Sequence, residues 1–357
     1  MKIRIAGMAF SVGLLALAAC SSAGQTTSGT QGGGSSSAST PTKLVFNADG
    51  TPNLKGLSFS IGNAAGSAHT GDTNVNDLVQ FLKQWGANAT QTNASQNAPE
   101  LAVASGQLNA TAGPLPTEVD SGLTVFGPNQ ARLDDVVLVK NSVASLSDLK
   151  GKNVAICCDA SPDGVLLTAL LKKAGLSESQ LNILRTGASS ASLSALIAGR
   201  VDVAFVHSSD VPTAGSGFRV LAVGASILPE YADSFMAATP SWLKSNPALA
   251  EAIDLAWFAS AKLFNTDEPK WVTNAAAYTS NADSTSAYQK AWTELQSIQG
   301  WPASGSILTS SIVAFNLNVA SQQQALKGEG TRPAAQEMDL TPWQQAWAVF
   351  SAHQSAY

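Results

Sequence analysis

Apolar positions in the chain switch between the short runs of strands and the wider spacing of helices. Lys55 to Ile61 reads as a strand that leads into a Gly/Ser/Asn loop, Gly62 to Gly71. Val75, Leu78, Val79 and Leu82 then recur at i, i+3, i+4 and i+7, which predicts a helix with one buried stripe. Thr73 or Asn74 can cap its start, and Gly86 suits its end. A strand over Ala89–Thr92, a short helix over Pro99–Ser105 and a strand over Leu108–Ala112 follow. The same rhythm returns at Val154–Ile156, a short buried strand. Ser161 comes next as an N-cap, with Pro162 at the first helical position and Asp163 in the first turn. Leu166, Leu167, Leu170 and Leu171 make that helix's buried face, and Gly175 ends it. Asn182–Leu184 is a strand. Leu193, Leu196 and Ile197 stripe the next helix, which stops at Gly199, and Val201–Val206 is apolar on both faces, as inside a parallel sheet. Alternating strands and helices predict an α/β fold. Beyond Pro240 the pattern is helical and carries seven of the eight tryptophans, which at helical spacing read as core rather than as a binding platform.

The N-terminus follows a different rule. Lys2 and Arg4 precede an apolar run, Ile5 to Ala19, that is too short to span a bilayer. Residues 1–19 therefore read as a signal peptide. Its end, Leu17-Ala18-Ala19-Cys20-Ser21, resembles a bacterial lipobox. The resemblance implies cleavage before Cys20 and a diacylglycerol (with palmitate) on its sulfur; the plainer alternative is a secretory signal with an incidental cysteine. Residues 20–42 form a Ser/Gly linker whose composition cannot offset its ordering entropy. At about 5–6 Å times the square root of its length, it would hold the body roughly 25 Å from a membrane. No later segment has the length and apolarity of a membrane helix. Localisation on the extracytoplasmic face of a cell membrane, through a lipid anchor only, is expected.

Residues 43–357 are long enough for two lobes. Without Lys2 and Arg4 the chain has 18 basic residues against 25 acidic ones, with no Lys/Arg block, which argues against nucleic acid as a partner. Apart from Cys20 the only cysteines are Cys157 and Cys158, which, being adjacent, cannot staple distant segments.

Ser145-Leu146-Ser147-Asp148-Leu149-Lys150-Gly151-Lys152-Asn153-Val154 resembles a recurrent segment of type II periplasmic binding proteins. The stretch itself reads as structural. Leu170–Leu176, Ala195–Ala204 and Ser241–Pro247 continue the likeness in order, nearest to the nitrate/sulfonate/taurine and thiamine-precursor binding group. The resemblance implies two α/β lobes of mainly parallel sheets flanked by helices, with the ligand cleft between them. Lobe I would comprise 43–140 and 239–357, and lobe II 141–238. It further implies a monomeric, non-catalytic, cofactor-free receptor that closes on a small molecule and passes it to an ABC permease and its ATPase. No G-x-S-x-G, H-E-x-x-H or zinc-like spacing is found, and His69, His207 and His353 are far apart. Two alternatives use the same fold: an enzyme like the thiamine-pyrimidine synthases, which would need a richer iron motif than Cys157-Cys158, and a sensory lipoprotein that feeds no importer.

In parallel sheets ligands bind beyond the carboxyl ends of strands, beside helix N-termini. That rule selects Asn63 and Ser67 in the first loop, and Leu115 and Thr117 in the proline-bounded turn after Gly113. It also selects Cys157, Cys158 and Ser161 before a helix, Ser189 with Ser190 at the next helix start, and His207 and Ser208 after the last apolar strand. The cysteines leave two readings open, a vicinal disulfide facing the ligand or two thiols. Each of these loops has a plainer reading as cap, connector or solvated surface. With Ser, Thr, Asn, Cys and no Lys or Arg, the set suits a small oxyanion such as a sulfonate, or an uncharged heterocycle.

Overall fold

The computed structural model describes residues 41–63, 70–94, 98–113, 122–325 and 334–357. The signal peptide, Cys20 and nearly all of the linker lie outside the described residues, as do Ser67, Leu115 and Thr117.

Strand β1 (Ser58–Asn63) is followed by α1 (Thr73–Gln84), β2 (Asn88–Asn93), α2 (Ala98–Ala104) and β3 (Ala110–Ala112). Val75, Leu78, Val79 and Leu82 are all buried, and Gly86 takes φ +96° just past the helix. Next come β4 (Thr124–Gln130), β5 (Asp135–Lys140), β6 (Asn153–Ile156), α3 (Pro162–Ala174), β7 (Asn182–Arg185) and α4 (Ser189–Ile197). Gly175 closes α3 in the left-handed conformation, which its missing Cβ permits. The chain continues through β8 (Val203–His207), α5 (Val211–Ala214), β9 (Phe218–Val223), α6 (Gly224–Ile227) and β10 (Ser234–Ala238). Among the described residues six helices complete it: α7 (Pro240–Ser245), α8 (Pro247–Thr266), α9 (Glu268–Tyr278), α10 (Thr285–Ser297), α11 (Ser310–Ala325) and α12 (Thr341–Ala352).

Among the described residues the strands form two five-stranded sheets, ordered β2-β1-β3-β10-β4 and β7-β6-β8-β5-β9. Both are mixed rather than mainly parallel. β1 runs parallel to β2 and β3, whereas β10 is antiparallel to β3 and β4. In the other sheet β6 is parallel to β7 and β8, whereas β5 is antiparallel to β8 and β9. The chain passes from one sheet to the other at 131–134 and returns at 224–233. β5 therefore lies in the second sheet and β10 in the first, and both crossings come earlier in the chain than boundaries at 140 and 239 would place them.

Each sheet has its own core. The first packs on α1, α8 and α12, where Trp257, Phe258, Trp343 and Phe350 are buried together. Phe258 and Trp343 stack with ring centroids 4.2 Å apart. Trp271 and Trp301 are also buried there, and Trp242, Trp292 and Trp347 pack against the same cluster, so the C-terminal tryptophans build core. The second sheet buries Leu166, Leu167, Leu170 and Leu171 of α3 against Val137, Val154 and Phe205. Each fully buried leucine contributes about 1.5–3 kcal/mol. On α4, Leu193 and Leu196 are buried, but Ile197, the last helical residue, is 50% exposed and lies off the expected stripe.

Two C-terminal helices tie the lobes together. α10 packs against Ser208–Ala214 of the second lobe. On α11, Val313 and Leu317 join the first core while Phe315 and Val319 pack against the second. Among the described residues, no helix is long and apolar enough to cross a membrane.

Candidate functional site

The parallel strands end on one side of each sheet. In the first, the register sets Asn63 beside Asn93 and Ala112, so the ends of β1, β2 and β3 form a row. In the second, β8 ends at His207, and α4 begins at Ser189 beside it. A cleft of about 350 Å³ lies between these edges. Asn63, Gly71, Asp72 and Gly113 line it from the first lobe, and Ala188, Ser189, Ser190, His207 and Asp210 from the second. The crossing segments and their ends add Asn129, Gln130, Asp134, Asp233 and Ser234 at its base.

Of the sequence-selected residues, the structure brings Asn63, Ser189, Ser190 and His207 into this cleft. Asn63 is buried, and its side-chain amide donates to the Tyr278 hydroxyl at 3.5 Å; Asn93 and Gln91 donate to the same oxygen at 3.0 Å each. Ser189 Oγ accepts the backbone N–H of His207 at 3.2 Å, which ties the start of α4 to the end of β8.

Four selected residues stand elsewhere. Ser208 is buried behind the cleft, where its N–H and hydroxyl donate to Asp134 Oδ1 at 2.8 and 3.2 Å. Cys157, Cys158 and Ser161 also fall outside the lining, because the start of α3 is filled from within. The Asp163 carboxylate accepts the backbone N–H of Cys157 and the hydroxyl of Ser161. A helix N-terminus attracts an anion, and here the chain supplies its own. Gly164 lets the 158–159 backbone close over this turn, where a Cβ would collide with Asp159 O and Cys158 O. The two cysteines are free thiols with their sulfurs 3.7 Å apart. The Cys157 S–H group donates to Cys158 and draws the exposed Cys158 thiol down to about 6.

Sequence reasoning missed the acidic residues. Asp134 and Asp135 start the second lobe, and antiparallel pairing sets Asp135 opposite His207. The imidazole Nδ1 lies 3.7 Å from one carboxylate oxygen of each. Removal from water works against the imidazolium, but Asp134 and Asp135 outweigh it and hold its proton well above the usual histidine range. Burial likewise works to raise Asp134, yet His207 beside it, with Gln130 and the Ser208 N–H, brings it below the usual carboxylate range. Burial raises Asp135 and Asp163. It also raises Asp233, to about 7, with the Asp134 charge adding to the effect. Asn129, also missed, owes its place to a bulge. The pairing of β4 with β10 skips it between Gln130–Ser234 and Pro128–Phe235. The Asn129 carbonyl accepts the indole N–H groups of Trp257 at 2.9 Å and Trp301 at 3.0 Å, which fixes the cleft base to the aromatic core.

These charges set a pH dependence of stability. Asp233 holds its proton longer in the folded than in the unfolded chain, so its contribution falls as pH rises from about 3.8 through about 7. The His207 contribution is complete below its ordinary value of 6.5 and is lost as pH rises through its raised one. Asp134 acts in the opposite sense, but only below its ordinary 3.8. The protein is therefore expected to be more stable at pH 5.5 than at pH 8 by on the order of 2 kcal/mol in urea denaturation. Equal or greater stability at pH 8 would contradict the buried-acid account.

Comparison with known proteins places the architecture. Residues 129–292 match the family described as NMT1/THI5 like. The solved structure of the periplasmic aliphatic sulphonate binding protein SsuA from Escherichia coli is similar at TM-score 0.63 and 16% identity, covering 78% of this chain and 91% of that one. A putative sulfonate ABC transporter periplasmic sulfonate-binding protein from Methylobacillus flagellatus KT is similar at TM-score 0.63 and 19% identity, covering 84% and 96%. The desulfurization enzyme DSZB is similar at TM-score 0.53 and 12% identity, covering 83% and 99%. A search of curated proteins found no match.

Proposed function

Because this chain has the type II periplasmic binding protein fold, we propose that it captures a small molecule between its lobes outside the cell. It then presents the closed form to an ABC permease and its ATPase. The observation that supports this most is the cleft itself, which both lobes line at their strand ends and whose base is formed by the two crossing segments. A ligand touching both walls favours the closed arrangement by its differential affinity for it. Cys20 would carry the lipid that holds the mature chain at the membrane. An enzymatic reading on this fold needs a reacting group in the cleft, and the cysteine pair stands outside the lining. Of the two ligand classes expected from the sequence, the carboxylates favour a heterocycle over an oxyanion, since a bound anion would lie among charges of its own sign.

The test is a thermal-shift and calorimetric screen of the mature chain, followed by X-ray scattering with and without the hit. A ligand at a hundred times its Kd should add about 2.7 kcal/mol of stability and reduce the radius of gyration. Binding that leaves the radius unchanged would remove the hinge-closure part of the proposal.

A further inference from the structure

The chemistry of the cleft narrows its ligand, on the reading that the cleft is a solute site. Its ionisable lining consists of four carboxyl groups, Asp72, Asp134, Asp210 and Asp233, the last ionised above about 7, and one imidazole, His207. Among the described lining residues there is no Lys or Arg. The carboxylates come from every wall: Asp72 just before α1, Asp134 and Asp233 on the two crossings, and Asp210 just after β8. His207 stands 3.7 Å from both Asp134 and Asp135, so its single charge is already shared by two carboxylates. The helix start that suits an anion by position, that of α3, is occupied by Asp163.

Buried polar atoms at the cleft base point the same way. Gln130 is only 7% exposed, and although its side chain lies beside Asp134, its Nε2 makes no hydrogen bond of good geometry. The Oδ1 atom of Asp233 is likewise without a hydrogen bond. Buried polar groups are normally satisfied, and those left open at a cleft are candidates for ligand or water. One of these atoms is a donor and the other an acceptor. Their complement is a molecule with N–H groups toward the carboxylates and an acceptor atom toward the glutamine.

We propose that the cleft takes a small protonated nitrogen base, an amine, amidine or guanidine that also bears an acceptor atom, and not a sulfonate or nitrate. The charge is met from both lobes, so the cation would help draw Asp72 and Asp210 toward one another on closure. Desolvating the ligand's positive charge is offset only where carboxylates surround it, and this lining offers them.

The experiment is calorimetry on the mature chain with 4-hydroxybenzamidine, 2-hydroxyethylguanidine and ethanolamine, against ethanesulfonate, nitrate and uracil. At least one of the three cations is expected to bind, and the anions are not. Asp72→Asn and Asp210→Asn, one from each lobe, should each weaken that cation at least tenfold, with circular dichroism confirming the fold of whichever variant is used. Binding of ethanesulfonate, nitrate or uracil in place of the cations overturns the charge assignment and leaves the solute-binding reading standing. A cation unaffected by either substitution overturns its placement in the cleft. Failure of all three cations overturns this inference, whereas the solute-binding reading stands or falls with the wider screen above.

Discussion

Replacing Asp134 with alanine is expected to destabilise the protein by about 3–4 kcal/mol, read as a lower urea midpoint at pH 7. Asp134 is 3% exposed, and one of its oxygens accepts both the N–H and the hydroxyl of Ser208. Alanine would leave the Ser208 hydroxyl without this acceptor and its N–H with only the Asp134 backbone carbonyl, at 3.0 Å, a loss of about 1–2 kcal/mol. It would also remove one of the two carboxylates beside His207. Breaking a buried ion pair usually costs about 3–5 kcal/mol, but Asp135 lies equally near the imidazole and can ionise in its place. Asp134→Asn separates the two effects. It keeps an acceptor for Ser208 and loses only the charge, so about 1–2 kcal/mol is expected. In both variants the His207 titration, followed by NMR, should move down. A cost below 1 kcal/mol for the alanine variant would show that the cleft base does not depend on this pair.

This arrangement was only partly legible in the sequence. Locally encoded pieces were: α1, α3 and α4 carry their stripes and stops within a dozen residues, and β8 is an unbroken apolar run ending at His207. His207 and Ser189 followed because they sit at the end of one such piece and the start of another. The switch strands were not legible. β4 reads Thr-Val-Phe-Gly-Pro-Asn-Gln, and Gly127 and Pro128 spoil it as a strand. Both have tertiary reasons: a Cβ on Gly127 would collide with the buried carboxylate of Asp254 on α8, and Pro128 lies next to the bulge at Asn129. The partner that makes β4 a strand, β10, begins more than a hundred residues further along the chain.

The acidic lining was hidden for the same reason. Asp72, Asp134, Asp210 and Asp233 share no spacing, and only the two crossings bring them to one cleft. Ser161 stands apart from the cleft for a different reason. The rule that a helix start welcomes an anion held, but Asp163, two residues on, is that anion. A carboxylate in the first turn favours the helix, and the same charge is a sign that no external anion is needed there.

Asn316→Leu should cost about 3 kcal/mol although the residue does not line the cleft. The residue is fully buried on α11, the helix that packs on both cores. Its Oδ1 accepts the backbone N–H of Ala232 at 3.1 Å, while its Nδ2 donates to the Glu230 carbonyl at 3.0 Å and to Ile312 at 2.8 Å. One amide thus satisfies a donor and an acceptor on the crossing that returns the chain to the first lobe. Leucine has similar bulk but leaves both backbone groups without it, at about 1–3 kcal/mol each. Asn316→Asp is expected to be worse, at about 3–5 kcal/mol, since it keeps the acceptor, loses both donations and buries a charge. This order, aspartate below leucine below wild type in urea midpoint, is specific to a side chain that donates and accepts at once. If leucine costs less than 1 kcal/mol, or aspartate is the milder change, α11 does not fasten the crossing, and the hinge must draw its rigidity from the antiparallel strands alone.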